Sequence, residues 1–210
     1  MNQIQKIYGI LYKEFKSQGW WPVISKDGKN HQFEISIGAI LTQNTSWSNV
    51  EKVIKILDEK NLLNKNSFKK IDTEELALLI RSSGYYNQKA KKIKAFIEFL
   101  DSNKEISRIN LLKVYGLGKE TVDSILLYSY NQPVFVIDAY TKRVFSRLKL
   151  CNKDIDYDKL QFLFESNLDK NIEVYKEYHA LIVNLGKNYC KTKPLCEKCC
   201  LRKICPKDIS

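Results

Sequence analysis

Apolar residues recur every three or four positions along most of the chain, which is the spacing of one buried face of an α-helix. The first such stripe consists of Ile4, Ile7, Leu11 and Phe15. Further stripes run through 34–41, 47–58, 74–81, 88–100, 119–130, 139–148, 158–168 and 172–186. Only the run V-F-V-I at 134–137 has the composition of a strand, and it is too short and too isolated to begin a sheet. The pattern therefore predicts an all-α protein.

Four glycines lie between these stripes, where they are expected to end helices and form turns: Gly84, Gly116, Gly118 and Gly186. A chain of 210 residues with 44% hydrophobic content can bury a core as one large domain or as two small lobes. No repeat, low-complexity tract or long linker divides it. A second lobe would therefore have to be built from both ends of the chain.

The charge balance favours a polyanionic partner. Lys and Arg total 35 against 24 Asp and Glu, which gives a formal net charge of +11. A merely solvated basic surface is the alternative interpretation. No apolar run approaches the roughly 20 residues that span a bilayer, and the N-terminal segment is amphipathic rather than a signal peptide. We therefore expect a soluble, intracellular protein without a membrane partner.

The segment 111–128 predicts a helical hairpin. Its tight turn, G-L-G, would let the backbone take positive φ and come close to a ligand, and a second helix would begin near Lys119. The free N–H groups of that helix could bind an anion such as a DNA phosphate, although a plain αα-hairpin has the same pattern. Further along, Asp138 opens a basic helix, either as a functional carboxylate or as an ordinary N-cap.

These two segments carry a resemblance to a known family. The runs V-Y-G-L-G-K-E-T-V-D-S-I and V-I-D-A-Y-T-K-R-V-F-S-R are similar to the helix-hairpin-helix and aspartate signature of the endonuclease III superfamily of DNA glycosylases, and the likeness extends over nearly the whole chain. It implies a two-lobed endonuclease III-like fold, with residues 20–131 as a six-helix barrel domain and residues 1–19 and 132–210 as an iron–sulfur cluster domain. The expected partner is double-stranded DNA with a damaged base. A monomer in the cytoplasm of a prokaryote, associated with the nucleoid, is the simplest expectation.

By this resemblance Asp138 is the catalytic residue, which offers negative charge to the sugar as the base leaves. Bifunctional members place a nucleophilic lysine two residues after the second hairpin glycine, where this chain has Glu120. The adjacent Lys119 is rotated by about 100° along the helix and is expected to contact phosphate. The resemblance therefore implies a glycosylase whose AP-lyase activity is weak or absent.

Five of the six cysteines crowd into the last 21 residues, which favours a metal or cluster site in a reducing compartment over disulfides. The spacing C-x5-C-x2-C-x5-C is formed by Cys190, Cys196, Cys199 and Cys205. It resembles the cluster loop of endonuclease III relatives, shorter by one residue in the first gap, and so implies a [4Fe–4S] cluster. Tetrahedral zinc is the rival occupant. Cys151 and Cys200 lie outside the pattern and are expected to be plain thiols.

Two aromatic segments resemble the 3-methyladenine DNA glycosylase III branch of the superfamily. They are W-W-P at 20–22 and L-T-Q-N-T-S-W at 41–47, and the resemblance implies a base pocket formed by Trp20, Trp21, Pro22 and Trp47. Core packing is the alternative for each tryptophan. A purine methylated at N3 or N7 is cationic, so an indole face can attract it. The implied substrates are alkylated purines, 3-methyladenine and also 7-methylguanine.

Further residues are implicated in DNA binding. By resemblance Gln43 fills the gap left by the flipped base, and Tyr85 is a wedge between neighbouring bases; both could instead be surface turn residues. Hairpin contacts to DNA are expected from Gly116, Gly118, Lys119 and Thr121. Phosphate contact and simple solvation are the two alternatives for Lys89, Lys91, Lys92 and Lys94. Of the two histidines, His179 is expected to be a structural hydrogen-bonding group.

Three other functions stay open from the sequence. The same scaffold could remove oxidised pyrimidines or mismatched bases, although Glu120 argues against the first. A non-catalytic DNA-binding protein that uses zinc and the hairpin belongs to a different functional class.

Overall fold

A computed structural model describes residues 2–25, 28 and 30–206, and the regular elements within these ranges are all helical. The α-helices are α1 (Gln3–Phe15), α2 (His31–Leu41), α3 (Trp47–Glu59), α4 (Lys65–Lys70), α5 (Thr73–Leu79), α6 (Tyr86–Asp101), α7 (Arg108–Leu111), α8 (Lys119–Ser124), α9 (Ala139–Arg147), α10 (Tyr157–Glu165) and α11 (Ile172–Asn188). A π-helical turn at Ile125–Ser129 continues α8, and single 3₁₀ turns lie at Arg81–Ser83 and Cys196–Lys198. The all-α prediction is confirmed.

The chain divides into two compact units, and the first contains both chain ends. One unit comprises Met1–Trp20 with Gln132–Ser210, and the other comprises Trp21–Asn131. We call them the terminal unit and the central unit. In the part of the chain that the structure describes, every helix falls short of the length and apolar content that a bilayer-crossing segment needs.

The central unit is built around α2, which is buried on nearly all sides. It packs against α3, α6, α8 and the π-helical turn. Its polar residues face partners: Ser36 Oγ lies 2.7 Å from Ser129 Oγ, and Gln32 Nε2 donates to the Ser129 carbonyl at 3.1 Å. Buried polar side chains such as Ser36 need partners inside the protein, and these bonds provide them.

The predicted hairpin is present in this unit, between the short helix α7 and α8. Gly116 has φ +75°, and a Cβ at this residue would lie 2.5 Å from Lys92 Cγ. Gly118, by contrast, has φ −86° and ψ 171° as the N-cap of α8, so of the two turn glycines only Gly116 has positive φ. Arg108 joins the two helices through a two-pronged ion pair with the buried Asp123, at 2.7 and 3.1 Å.

The terminal unit is organised around α11, against which α1 and α9 pack. Stacked and edge-to-face aromatic rings fill its core, which contains Phe135, Phe145, Phe164, Tyr175 and Tyr178. The Tyr178 hydroxyl donates to the Ile4 carbonyl at 2.9 Å, which ties the N-terminal helix to α11.

The extended run 134–137 pairs with no strand within the described residues. Side chains of α10 satisfy its backbone instead. The Phe135 N–H donates to Glu165 Oε1 at 2.9 Å, and the Phe135 carbonyl accepts from Gln161 Nε2 at 2.7 Å. Phe135, Val136 and Ile137 are buried, so the strand-like composition reflects core packing rather than a sheet.

Gly186 does not end a helix, which corrects the sequence prediction. It lies inside α11, where a Cβ would come within 2.6 Å of the Tyr140 ring. A glycine is therefore required here because α9 approaches closely, not because the chain must turn.

Candidate functional site

Asp138 is the N-cap of α9 and is held in place by Thr141. Its Oδ1 atom accepts hydrogen bonds from the Thr141 backbone N–H and from the Thr141 hydroxyl, each at 2.7 Å. The second oxygen, Oδ2, lies 3.7 Å from His179 Nε2 on α11, a distance typical of an ion pair rather than a hydrogen bond. Asp138 and His179 are only 8% and 5% exposed. One oxygen of Asp138 therefore caps α9, while the other faces His179.

Burial alone would raise the pKa of Asp138. The neighbouring His179 and the two hydrogen bonds from Thr141 outweigh this effect and hold the pKa below its ordinary value of 3.8. Asp138 is therefore a carboxylate at neutral pH, with one oxygen occupied by its cap. The sequence did not identify His179 as its partner, because α9 and α11 are distant in the chain and only their packing brings the two residues together.

Trp20 lies against the same histidine. Its ring is 5.8 Å from the His179 ring in an edge-to-face arrangement. Within the terminal unit, one tryptophan of the W-W-P segment thus joins His179 and Asp138 in a continuous chain of contacts.

Trp21 belongs to a separate aromatic group in the central unit. Its ring lies 5.5 Å from Trp47 and 5.2 Å from Tyr128, both edge to face. Gly38 on α2 makes room for this ring, since a Cβ there would be 3.3 Å from Trp21 Nε1. Trp21, Pro22 and Trp47 are all half-buried. Tyr128 was not singled out in the sequence, where it lies in an ordinary helical stripe.

A buried glutamate fixes the backbone that follows the W-W-P segment. Glu34 Oε1 accepts from the Ile24 N–H at 2.6 Å, and Oε2 accepts from the Ser25 N–H at 3.1 Å and from the Ser25 hydroxyl. Glu34 is 2% exposed. A carboxylate that accepts several such bonds holds a loop firmly, so the segment after Trp21 is anchored to α2.

Gln43 is tied to the hairpin. Its Nε2 donates to Thr121 Oγ1 at 2.9 Å and to the Gly116 carbonyl at 3.3 Å, and its Oε1 accepts from Lys92 Nζ at 2.5 Å. The structure thus brings together Gln43, Gly116 and Thr121, three residues that sequence similarity implicated in DNA binding.

Tyr85 is exposed at a turn with an unusual backbone conformation. It adopts a left-handed backbone conformation, with φ 48°, as the N-cap of α6, and 70% of its surface is exposed. Non-glycine residues rarely adopt this conformation, and an exposed aromatic ring is unusual at a strained turn.

The lysines of α6 differ from the sequence expectation. Lys89 neither reaches solvent nor is available to phosphate: it is 1% exposed and donates to two backbone carbonyls. Lys94 Nζ donates to the Phe68 and Ile71 carbonyls, and Lys92 Nζ bonds Gln43. Lys91 alone among the four is exposed. The helical pattern could not distinguish these cases, because a lysine has the same sequence signature whether its ammonium meets water or a carbonyl.

The hairpin helix α8 begins at Lys119, as predicted. Lys119 is half-buried, whereas Glu120 is exposed. Glu120 follows the second hairpin glycine by two residues and lies in the first turn of α8.

The first and last residues of the four-cysteine motif meet at Arg147. Its Nη1 donates to Cys190 Sγ at 3.4 Å, and its carbonyl accepts from Cys205 Sγ at 3.7 Å. The same guanidinium also donates to the Lys191 and Thr192 carbonyls, at 2.6 and 3.1 Å. Arg147 therefore fixes the loop at the point where the two ends of the motif come together.

All four motif cysteines are half-buried free thiols, which is the donor set that an iron–sulfur cluster requires. Cys199 shares a hydrogen bond with Cys200, which lowers the pKa of Cys199 to about 6. Within the described residues, no three Cys, His, Asp or Glu side chains converge closely enough to enclose a metal ion. Four thiols, with Cys190 and Cys205 both in contact with Arg147, fit a group that is held by four thiolates. Cys196 and Cys199, in the middle of the loop, do not converge with them on one point.

Comparison with known proteins identifies the family. Residues 37–170 match the HhH-GPD superfamily of base excision DNA repair proteins. The chain belongs to this superfamily. It is a base-excision DNA glycosylase with an endonuclease III-like fold.

Three individual proteins give the range of its similarities. MJ1434 of Methanocaldococcus jannaschii, provisionally named a DNA repair glycosylase, is 44% identical over 217 residues, with 97% of this chain and 96% of MJ1434 covered. The structure of a trapped endonuclease III–DNA covalent intermediate superimposes with a TM-score of 0.83 at 24% identity, over 99% and 97% of the two chains. The Helicobacter pylori 3-methyladenine DNA glycosylase MagIII, bound to 1,N6-ethenoadenine, has a TM-score of 0.75 at 27% identity, over 89% of this chain and 98% of MagIII.

Proposed function

We propose that this glycosylase is monofunctional and removes alkylated purines, 3-methyladenine above all, from double-stranded DNA. The observation that carries the proposal is the buried carboxylate of Asp138, oriented by Thr141 and ionised at neutral pH. Trp21, Trp47 and Tyr128 supply an aromatic group of the kind that attracts a cationic base. The likeness to MagIII, named for 3-methyladenine, supports the same substrate class.

The reaction needs one carboxylate and water. As the C1′–N bond breaks, its electron pair leaves with the methylated purine, which becomes neutral, and the sugar acquires oxocarbenium character. The negative charge of Asp138 stabilises that cation, and water adds its oxygen to C1′ while its proton passes to the carboxylate or to solvent. Because the substrate base already carries positive charge, no strong general acid is needed for its departure.

An enzyme with this fold could also act on other bases. Oxidised pyrimidines or mismatched bases remain the alternatives. A non-catalytic, zinc-containing DNA-binding protein is the alternative from another functional class.

A panel of duplexes separates these functions. Each duplex carries one lesion: 3-methyladenine, 7-methylguanine, an oxidised pyrimidine, or a mismatched thymine or adenine. We expect free base to be released from the methylated purines under single-turnover conditions. The Asp138→Asn variant should lose about 100-fold or more in rate, because it removes the charge but keeps an oxygen that can cap Thr141.

Asp154→Asn serves as the control in this assay, since Asp154 is an exposed residue between α9 and α10. Fastest release of an oxidised pyrimidine would contradict the substrate proposal. Base release that is unchanged in Asp138→Asn would contradict the catalytic assignment itself.

We also propose that the chain lacks efficient AP-lyase activity because Glu120, and not a lysine, occupies the nucleophile position. A carboxylate cannot form a Schiff base with the C1′ aldehyde. The wild-type protein should therefore give little covalent adduct when borohydride is added with abasic DNA. The Glu120→Lys variant should gain adduct, since an exposed amine would then stand at that position.

Trapping of the wild-type protein on Lys119, lost in Lys119→Gln, would overturn this proposal. Glu105→Lys is the matched control: it adds one exposed lysine away from the hairpin turn and should gain no adduct.

For the four-cysteine motif we propose a [4Fe–4S] cluster held by Cys190, Cys196, Cys199 and Cys205. Its role would be to fold the loop and present the exposed cations around it to the DNA backbone: Lys191, Lys193, Lys198, Arg202 and Lys203. The free thiols and the Arg147 contacts support this assignment.

Adjacent cysteines offer a sharp test of the ligand set. Protein purified without oxygen should contain about four iron and four sulfide per chain. Cys199→Ser should lose most of this iron, whereas Cys200→Ser should retain it. Stoichiometric zinc without sulfide in the native protein, or equal loss of iron in the two variants, would contradict the proposal.

A further inference from the structure

Lys89 is a buried cation whose ammonium bonds two backbone carbonyls. The ammonium donates to the Leu41 carbonyl at 2.8 Å and to the Ser83 carbonyl at 2.6 Å, and the residue is 1% exposed. Burial, together with the charge of Lys92, lowers the pKa of Lys89 to about 8. Burying a charged group is costly, so a lysine at such a position needs a reason beyond filling space.

The two carbonyls belong to the segments that carry Gln43 and Tyr85, the residues that the family resemblance implicates in entering the DNA stack. Leu41 is the last residue of α2, two positions before Gln43. Ser83 ends the 3₁₀ turn that leads to Tyr85. The Lys89 backbone N–H also donates to the Tyr85 carbonyl at 3.0 Å. One residue of α6 thus bonds to both segments.

The neighbouring turn of α6 extends the same arrangement. Lys92 lies three residues further along and bonds the Gln43 side chain, which in turn bonds the hairpin at Gly116 and Thr121. Lys89 fixes the backbone before Gln43, and Lys92 fixes its side chain. Both contacts arise from one face of α6, because residues three apart on a helix are neighbours.

We propose that Lys89 is a positioning residue that sets the distance between the Gln43 and Tyr85 segments, so that both side chains enter the DNA together. The inference rests on the proposed function and on the DNA roles that the family resemblance implies for those two residues. An ammonium suits this task because it has three donors and no acceptor, and its long stem reaches carbonyls of two different segments. Without it, two buried carbonyls lose their cation and the two segments lose their common anchor.

A second lysine on the same helix provides the control. Lys94 also bonds backbone carbonyls, those of Phe68 and Ile71, but these belong to the region around α4 and carry none of the proposed DNA contacts. Lys89→Met and Lys94→Met therefore remove the same kind of bond, and only the first one touches the DNA-probing segments.

The experiment uses the full-length protein and two measurements. The first is the single-turnover rate of base release from a methylated duplex at saturating protein. The second is the fluorescence change of 2-aminopurine placed beside an abasic-site analogue, which reports insertion of side chains into the stack without any chemistry. Thermal unfolding of both variants is recorded alongside.

Lys89→Met should lower the rate by about 10-fold to 100-fold and reduce the fluorescence change, since a small displacement of positioning groups has effects of this size. Lys94→Met should keep both within about twofold, even where its unfolding temperature falls equally. Equal behaviour of the two variants would overturn the proposal. If Lys89→Met does not fold, Lys89→Gln takes its place, because its amide can still reach one carbonyl; failure of both to fold would assign Lys89 to the core alone and overturn the proposal.

The fluorescence arm separates this inference from the proposed function. Absence of base release in the wild-type protein would refute the glycosylase substrate while leaving the fluorescence comparison intact. Normal base release with an unaltered fluorescence change in Lys89→Met would refute the positioning role alone.

Discussion

The structure depends most on the way one carboxylate is held. Asp138 begins α9, and its Oδ1 atom is bound by the backbone and the hydroxyl of Thr141. Its Oδ2 atom faces His179 on α11. The close packing of α9 on α11, which Gly186 permits by leaving room for Tyr140, brings that histidine into place. A charge that is fixed before the substrate arrives does not need to reorient during the reaction, which is the main source of electrostatic catalysis.

Charged side chains in the central unit likewise hold loops in place. The ammonium groups of Lys89 and Lys92 bond a backbone carbonyl and a side-chain amide. The carboxylate of Glu34 accepts from backbone N–H groups. Each one holds a loop that leaves α2 or leads into it. Exposed residues such as Tyr85 can then occupy a strained backbone conformation, because the segments on either side are fixed.

Much of the fold could be predicted from hydrophobic spacing, since each long stripe became a helix with its apolar face buried. The short helices α4 and α7 could not, because four to six residues give less than two turns of pattern. The run 134–137 has strand composition, but its backbone partners are side chains of α10, and no local signal marks that choice. The prediction that Gly186 ends a helix failed for the same reason, since close approach by another helix leaves no trace in the neighbouring sequence.

Some residues of the candidate site could be identified from the sequence, and others could not. Motif similarity located Asp138, Gln43 and the hairpin, because their spacing is local and specific. It could not find His179 beside Asp138 or Lys89 beneath the loops, because those relations exist only after distant helices pack. A buried lysine and an exposed one have the same place in an amphipathic pattern, and only the fold distinguishes them.

The most direct measurement is the pKa of Asp138, followed through its carboxyl ¹³C resonance, with Asp138→Asn used to assign the signal. Because the folded pKa is depressed, this group contributes stability that is present above pH 3.8 and is lost as the pH falls through the folded pKa. The account predicts a titration midpoint below 3.8 that moves upward in Thr141→Val. A midpoint above 3.8, with Asp138 protonated towards neutral pH, would contradict it.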